Sequence, residues 1–312
     1  MRVVRPGDLG EAERMAWRAC QRDDPSLASP FLAPEFALAV DGVRDDARVA
    51  VVESPGRAPM FFAFSLDGDV GAPIGATISD AQALIGRGAD DVDPRALVRA
   101  AGMATWRFDH LVSSQRAFVP YHTALHASPI ADLSGGHDRY LAAVRGNSKD
   151  VLAQTARRRR KLGRDVGDVE FAWADPDDGA LDALFAWKSA QYRATGVWDR
   201  FDQPWIVDVV RELARTECEG LTGVTSTLRA GDALVAVHFG LLGRDRLAWW
   251  FPAYDPGYAS YSPGLVLLLD LIGEAALRDL PLVDLGRGEH HYKLRVATGS
   301  YDVAEGVVPA AP

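Results

Sequence analysis

Side chains suited to proton transfer are concentrated in the last quarter of the chain. His238 lies in a run that predicts a strand, and its imidazole could take a proton from a hydroxyl or an ammonium group near neutral pH. Glu289 follows the last strand predicted in this region and is a second candidate for the same role. Tyr254 could protonate a leaving group. A hydrogen-bonded core histidine, an exposed loop acid and a packing tyrosine are the structural alternatives.

A helix start that could hold a phosphate lies between these residues. Ser262 is a favourable N-cap, Pro263 fits the first helical position, and Gly264 lets a ligand approach the backbone closely. The N–H groups and the dipole of a helix start attract anions. With the flanking Tyr261 and Leu265, these residues form the predicted site for a phosphorylated cofactor.

Polar residues on one face of a predicted helix could contact the second substrate. Lys188, Gln191 and Tyr192 are spaced i, i+3 and i+4, which places them on the same face. The predicted substrate-binding set also contains Lys293, which could bind phosphate as a point charge, and Asp80 in the first half of the chain. A solvated helix face and a surface lysine are the alternatives.

Composition and missing motifs argue against several classes of protein. The net charge of −9 argues against broad binding of nucleic acid, DNA included. Cys20 and Cys218 are far apart, which indicates a reducing compartment, and no signal peptide or membrane-spanning run is apparent, so a cytoplasmic protein is expected. His290 and His291 have no third ligand at metal spacing, so no metal is expected. The motifs of serine hydrolases and P-loop kinases are absent.

One local basic block stands out in this acidic chain. It could be a solvated helix face, or it could meet phosphates of a cofactor, a lipid-linked sugar or a membrane surface. Its members are Arg157, Arg158, Arg159, Arg160, Lys161 and Arg164.

The elements expected to position these residues occur twice along the chain. A shift of 175 positions aligns the two halves without gaps and predicts a repeated unit of three strands, a helix and a last strand. Among the matching pairs are Gly56 and Gly231, Ala58 and Ala233, Phe64 and Phe239, and Asp109 and Asp284. The chain therefore divides into predicted domains 1–130 and 131–312.

The second copy of this unit contains most of the candidate residues. Its predicted elements are a long helix over 136–166, a helix over 178–195, strands over 223–230, 233–242 and 246–253, a helix over 263–279 and a strand over 280–285. The helix after the third strand must cross over, so the third and last strands are expected to be parallel. In the first copy, Asp90, Asp91 and Asp93 would repel phosphate, so no cofactor site is expected there.

Several motifs of the chain resemble those of the GNAT superfamily, and more narrowly the CelD/BcsL group of cellulose-biosynthesis acetyltransferases. They occupy positions 106–111, 187–193, 236–240, 250–256, 261–264, 284–288 and 292–293. The usual GNAT phosphate-loop pattern is not intact, and 258–264 stands in its place. The tandem arrangement also resembles Fem-type aminoacyltransferases.

The resemblance implies both a fold and a reaction. The fold class is α/β (α+β), with two tandem GNAT-like domains that each contain a mixed, mostly antiparallel sheet flanked by helices. The implied reaction moves an acetyl group from acetyl-CoA to a saccharide or related small-molecule acceptor in polysaccharide biosynthesis, with contact to a membrane or a lipid-linked substrate as a further expectation. A transferase that uses aminoacyl-tRNA and a catalytically inactive binding module are the alternatives.

Overall fold

A computed structural model describes residues 1–148, 150–288 and 290–311 and divides the chain into two units. Unit 1 contains residues 1–128 together with 301–311, and unit 2 contains residues 129–300. The division after Ser128 lies two residues from the predicted one. The predicted second domain ended at the C-terminus, whereas residues 303–309 pair with a strand of unit 1. Sequence periodicity does not reveal such a long-range strand pairing.

Unit 1 is a mixed, mostly antiparallel sheet with helices between its strands. Its elements are β1 (Arg2–Val4), α1 (Glu11–Asp23), α2 (Pro34–Asp41), β2 (Ala47–Val52), β3 (Met60–Asp67), β4 (Val70–Pro73), β5 (Leu84–Ile85), α3 (Pro94–Ala100) and β6 (Thr105–Val112). The strand β7 (His122–Asp132) follows and crosses into unit 2. Within unit 1 the strands lie in the order β1-β2-β3-β4-β6, and the C-terminal strand β14 (Gly299–Pro309) pairs with β6.

Unit 2 repeats this order of elements after two additional helices. Its elements are α4 (His137–Asn147), α5 (Val151–Asp165), β8 (Val169–Ala172), α6 (Asp178–Thr195), α7 (Pro204–Ala214), β9 (Glu217–Cys218), β10 (Leu221–Ala230), β11 (Ala233–Leu242), β12 (Arg246–Tyr254), α8 (Pro263–Leu277), β13 (Leu282–Asp284) and α9 (His291–Val296). The sheet runs β8-β10-β11-β12-β13, and residues 130–132 of β7 pair with β13.

Each unit has its own apolar core. In unit 1, Phe62, Trp106 and Phe118 are fully buried, and the Trp106 ring packs edge-on against both phenylalanines. In unit 2, α8 is apolar on most of its surface because it packs against α5 and the sheet. Leu267 and Leu271 are fully buried there, and burial of each such side chain stabilises the fold by about 1.5–3 kcal/mol.

The predicted repeat is confirmed as a fold, with three local differences. The long helix predicted over 136–166 is two helices, α4 and α5, separated around Ser148. The sequence over 117–127 predicts a strand, but its first residues belong to a 3-10 helix, Arg116–Tyr121, that contains Pro120. The sequence predicts a helix from Pro204 to about Cys218, but the helix ends at Ala214, before the strand β9. In each case the apolar pattern of the sequence continues past the residue at which the helix or strand begins or ends in the structure.

Candidate active site

The sheet of unit 2 opens between β12 and β13. These two strands are parallel, as predicted, and they pair only from Arg246 to Ala248 on the β12 side. β12 continues for six more residues to Tyr254, whereas β13 ends at Asp284. Beyond Ala248, the β13-facing edge of β12 has no strand partner in the described part of the chain. A strand edge without a strand partner can receive an extended ligand.

The loop after β13 is held by Lys293 from the helix α9. The Lys293 ammonium donates hydrogen bonds to the carbonyl oxygens of Gly286 at 3.0 Å and Arg287 at 3.1 Å. Lys293 is buried, so the alternative of a surface lysine does not describe its place. Gly288 in this loop has a φ of 112°, a conformation that a side chain would strain. Residues 286–288 therefore have a defined position beside the opening.

Tyr292 lies at the open end of the strand pair and was not among the predicted site residues. The indole N–H of Trp249, the first β12 residue beyond the paired segment, donates a hydrogen bond to the Tyr292 hydroxyl oxygen at 3.3 Å. Burial raises the pKa of the Tyr292 phenol, so the phenol stays protonated at neutral pH. A hydroxyl that accepts a hydrogen bond from Trp249 can still donate its own proton. Its position just after the last strand was the available sequence signal.

His290 is an exposed imidazole next to Tyr292. Its ring is nearly parallel to the Tyr292 ring, with 6.3 Å between the ring centres. Partial burial lowers the pKa of His290, and the positive charges of Lys293 and Lys188 lower it further. The imidazole is therefore neutral at pH 7 and able to accept a proton. In sequence, the pair His290 and His291 suggests only metal ligands.

The helix α6 brings Lys188 to the far part of β12. Its ammonium donates a hydrogen bond to the Pro252 carbonyl oxygen at 3.0 Å and lies 5.3 Å from the centre of the Tyr192 ring. The guanidinium of Arg200 lies 5.6 Å from the same ring. Burial lowers the pKa of Lys188 to about 8, and the nearby charges of Arg200 and Lys293 act in the same direction. Of the predicted face, Gln191 is exposed to solvent.

His238 has the place of a core residue. Its ring is fully buried in β11 and stacks on Trp249 with 4.2 Å between ring centres. Neither ring nitrogen makes a hydrogen bond of normal geometry with a described residue. Burial lowers the pKa of His238 to about 3, and an interaction with the Ala248 carbonyl offsets only part of this lowering. A substrate that accepts the acyl group cannot reach this ring in the structure. The position of His238 therefore argues against its predicted role as the base.

Replacement of His238 by phenylalanine is expected to reduce the sensitivity of the fold to acid. As the pH is lowered from about 7.5 to about 5, the unfolded state takes up a proton at His238 that the folded state does not. The free energy of unfolding therefore decreases by about 2 kcal/mol over this range. We expect His238→Phe to lose this part of the pH dependence and to match the wild type in stability near neutral pH, because both buried ring nitrogens are removed. Denaturant unfolding at these two pH values measures the free energy of unfolding. The control is His291→Gln, which removes an exposed histidine. An unchanged pH slope in His238→Phe would contradict this placement.

The segment between β12 and α8 forms the other end of the site. A 3-10 helix, Pro256–Tyr261, precedes α8, and Ser262 has a left-handed backbone with a φ of 50°. The Ser262 side chain does not cap the helix as predicted but accepts a hydrogen bond from Arg158 at 2.7 Å. A Cβ atom on Gly264 would lie 3.5 Å from the Tyr254 ring. The structure thus brings Tyr254, Gly264 and an arginine of the basic block together.

The helix start of α8 offers a backbone donor. Pro263 has no N–H group, and the Leu265 N–H is bonded to the Ser262 carbonyl oxygen. The Gly264 N–H has no acceptor among the described residues. Tyr261 faces α5 instead: its hydroxyl donates to the Asp165 carboxylate at 3.0 Å, and this bond raises the pKa of the phenol.

One predicted substrate-binding residue lies in the other unit. Asp80 belongs to unit 1, where its carboxylate lies 3.9 Å from the His110 ring nitrogen Nε2. Glu289 lies outside the described residues. No group of three or more potential metal ligands occurs in residues 1–148, 150–288 and 290–311. None of the helices described in the structure has the length and apolar character needed to cross a bilayer.

Comparison with protein families agrees with this geometry. Residues 150–294, which cover the opening and both of its ends, match the family model described as acetyltransferase (GNAT) domain. This part of the chain is a GNAT acetyltransferase domain. The match covers just under half of the chain and concerns this domain alone.

Solved structures of similar fold extend over both units. FemX aligns with a TM-score of 0.63 and 8% identity, covering 98% of this chain and 96% of that chain. The C-terminal domain (DUF2156) of an Agrobacterium fabrum protein described as a lysylphosphatidylglycerol synthetase aligns with a TM-score of 0.58 and 10% identity, covering 96% and 93%. A tandem GNAT protein from the clavulanic acid biosynthesis pathway gives 0.51 and 13%, covering 99% and 98%. At these identities the likeness shows the fold.

A search of curated proteins found a different, short similarity. A 65-residue stretch is 35% identical to the large ribosomal subunit protein eL15 of two Halobacterium salinarum strains. The stretch covers 21% of this chain. The chain thus spans about a third of the length of those relatives.

Proposed function

We propose that unit 2 transfers an acetyl group from acetyl-CoA to a hydroxyl or amine of a saccharide or related small molecule. The observation that carries this proposal is the opening between β12 and β13, where the Tyr292 hydroxyl, bonded to Trp249, lies beside the exposed His290. A proton donor and a proton acceptor at one open strand edge are the groups that direct acyl transfer requires.

The donor is proposed to lie along the edge of β12 that has no strand partner beyond Ala248 in the described part of the chain. The pantetheine arm contains amides that can bond to this edge, and the pyrophosphate then reaches the start of α8. There the Gly264 N–H and the Arg158 guanidinium are the proposed phosphate ligands, because both lie next to Ser262. In the described part of the chain, neither group is bonded to a carboxylate.

The chemistry needs two proton transfers. The acceptor oxygen or nitrogen attacks the thioester carbonyl carbon while neutral His290 takes its proton. An N–H group on the β12 edge stabilises the developing oxyanion. The carbon–sulfur bond then breaks, and Tyr292 protonates the departing thiolate. The products are the acetylated acceptor and free CoA, and exchange with solvent moves one proton from His290 back to Tyr292.

The acceptor is proposed to bind near Lys188. The ammonium of Lys188, the guanidinium of Arg200 and the ring of Tyr192 lie together beside Pro252, and exposed Gln191 is on the same helix. Cations and an aromatic ring of this kind bind hydroxyl-rich ligands that carry an anionic group. A role in the cytoplasmic steps of polysaccharide synthesis, as in the CelD/BcsL group, and a lipid-linked acceptor are finer parts of the same proposal.

Substitution of Arg158 tests the donor site. We expect Arg158→Gln to raise the KM for acetyl-CoA about tenfold with little change in kcat, because one charged hydrogen bond to phosphate is lost in both ground and transition states. Arg160→Gln is the matched control: Arg160 is exposed on the same helix and makes no ion pair among the described residues. Thiol release from acetyl-CoA, with glucosamine as the probe acceptor, gives both constants. Equal KM values for Arg158→Gln and Arg160→Gln would place the phosphates elsewhere.

A row of cations on α5 favours aminoacyl-tRNA as a second candidate donor. Arg157, Arg160 and Arg164 are exposed, follow one another at helical spacing, and make no ion pair within the described residues. Over seven residues the row is roughly 10 Å long, which suits a nucleic-acid backbone. Thermal stabilisation by acetyl-CoA and not by charged tRNA would exclude this candidate, and the reverse result would exclude acetyl-CoA.

A further inference from the structure

Unit 1 contains a second opening in its own sheet, at the place that corresponds to the active site of unit 2. The strands β4 and β6 are parallel, are separated in sequence by α3, and pair only at Val70–Thr105 and Gly71–Trp106. β4 ends two residues later at Pro73, while β6 continues to Val112. The repeated fold therefore separates two parallel strands in unit 1 as it does in unit 2.

This second opening is a cavity of about 320 Å³. Ala72 and Pro73 of β4 line one side, Phe108 of β6 lies between, and Gly306 and Val307 of β14 line the other. A cavity of this size falls at the small end of sites for compact ligands. All of these residues belong to unit 1.

Three charged side chains line the same cavity. Arg107 and Asp109 are two positions apart on β6 and so share the face opposite to the buried Trp106, and Glu305 lies on the neighbouring strand β14 at a bulge. The hydroxyl-bearing Thr123 also lines it. Arg107 is exposed, so its guanidinium is accessible to a ligand.

The two carboxylates are held in place by neighbouring groups. Asp109 Oδ1 accepts a hydrogen bond from the Gln82 side-chain amide at 3.1 Å. Glu305 Oε2 lies 3.0 Å from His126 Nε2, and the Glu305 carbonyl accepts a hydrogen bond from the Thr123 hydroxyl at 3.1 Å. Side chains fixed in this way lose little conformational entropy when a ligand binds.

We propose that this cavity binds a small zwitterionic amine of the α-amino acid class. The carboxylates of Asp109 and Glu305 would hold the ammonium group, and the Arg107 guanidinium would hold the ligand carboxylate through paired hydrogen bonds. Two acids against one base repel a phosphorylated carrier, so the ligand differs in class from the proposed donor of unit 2. The proposal concerns unit 1 alone and does not depend on the transfer reaction.

Calorimetric titration of the full-length chain tests the proposal. The probes are the common L-amino acids, each with its decarboxylated amine and its deaminated acid. We expect at least one amino acid to bind and both of its truncated analogues to bind about tenfold more weakly or less. Arg107→Gln and Glu305→Gln should each weaken the binding of that amino acid about tenfold or more, whereas Arg87→Gln and Asp45→Asn, exposed charge changes elsewhere in unit 1, should not.

Binding of acetyl-CoA is measured on the same samples, which separates a failure of this proposal from a failure of the proposed function. Asp109→Asn is a second test, because it removes the negative charge proposed to hold the ammonium group. The asparagine oxygen can still accept the hydrogen bond from Gln82 when the amide is turned toward it. The proposal is overturned if no amino acid binds at about 10 mM, a concentration above the range of weak single-site complexes, or if Arg107→Gln binds as the wild type does. Equal binding of an amino acid and its decarboxylated amine would also overturn it.

Discussion

Tyr292→Phe is expected to lower kcat for thiol release from acetyl-CoA by about 100-fold, with little change in the KM for acetyl-CoA. The phenol lies beside Trp249 at the open strand edge, and burial keeps it protonated by raising its pKa. Phenylalanine preserves the packing and the burial but removes the proton that the departing thiolate needs. Stopped assays of CoA release with glucosamine as the probe acceptor measure the change.

Tyr254→Phe is the matched comparison for this substitution. Tyr254 was the general acid predicted from sequence, and it is a 40% exposed side chain at the end of β12, next to Gly264. We expect Tyr254→Phe to retain kcat within about threefold, because water can protonate a thiolate at an open position. If Tyr254→Phe lowers kcat strongly and Tyr292→Phe leaves kcat unchanged, the general acid is Tyr254 and our assignment of Tyr292 is wrong.

His290→Gln is expected to reduce kcat/KM about 100-fold at pH 7 and to abolish the acidic limb of the pH profile. In the wild type, partial burial and the charges of Lys293 and Lys188 keep the pKa of His290 below its ordinary value of about 6.5. The activity should therefore be flat above that value and should fall only at lower pH, when the imidazole becomes protonated. Glutamine keeps a polar side chain of similar size but cannot accept a proton at these pH values.

The two flanking residues supply the controls. His291→Gln changes the next, exposed imidazole and should leave the pH profile unchanged. Glu289→Gln tests the base predicted from sequence at the adjacent position. If Glu289→Gln removes the acidic limb and His290→Gln does not, the carboxylate is the base and our assignment of His290 is wrong.

The strand register of unit 2 explains why the burial of His238 is seen only in the structure. His238 and Phe239 are adjacent in an apolar strand, and the sequence does not show that both faces of β11 are covered. The structure buries both side chains, His238 against Trp249, because helices and sheet neighbours pack on both faces. A strand covered on two faces shows no alternation that would reveal its exposed side.

Local patterns sufficed for the elements with strong end signals. The helix α6 begins at Asp178 and ends at Thr195, and its stop at Gly196 has the left-handed backbone that glycine favours. The strand β11 and the start of α8 at Pro263 also agree with their predictions. These features depend on residues close in sequence, so patterning and turn chemistry are enough to define them.

The sequence by itself determined the repeated order of strands and helices and the crossover that makes β12 and β13 parallel, and it predicted residues 261–265 as the cofactor end. Only the tertiary structure decided that Tyr292 meets Trp249, that Lys188 reaches Pro252, and that residues 303–309 complete unit 1. The physical reason is range. Helix ends and turns arise from contacts within a few residues, whereas these three arrangements join segments 43 or more positions apart, whose approach depends on how whole elements pack.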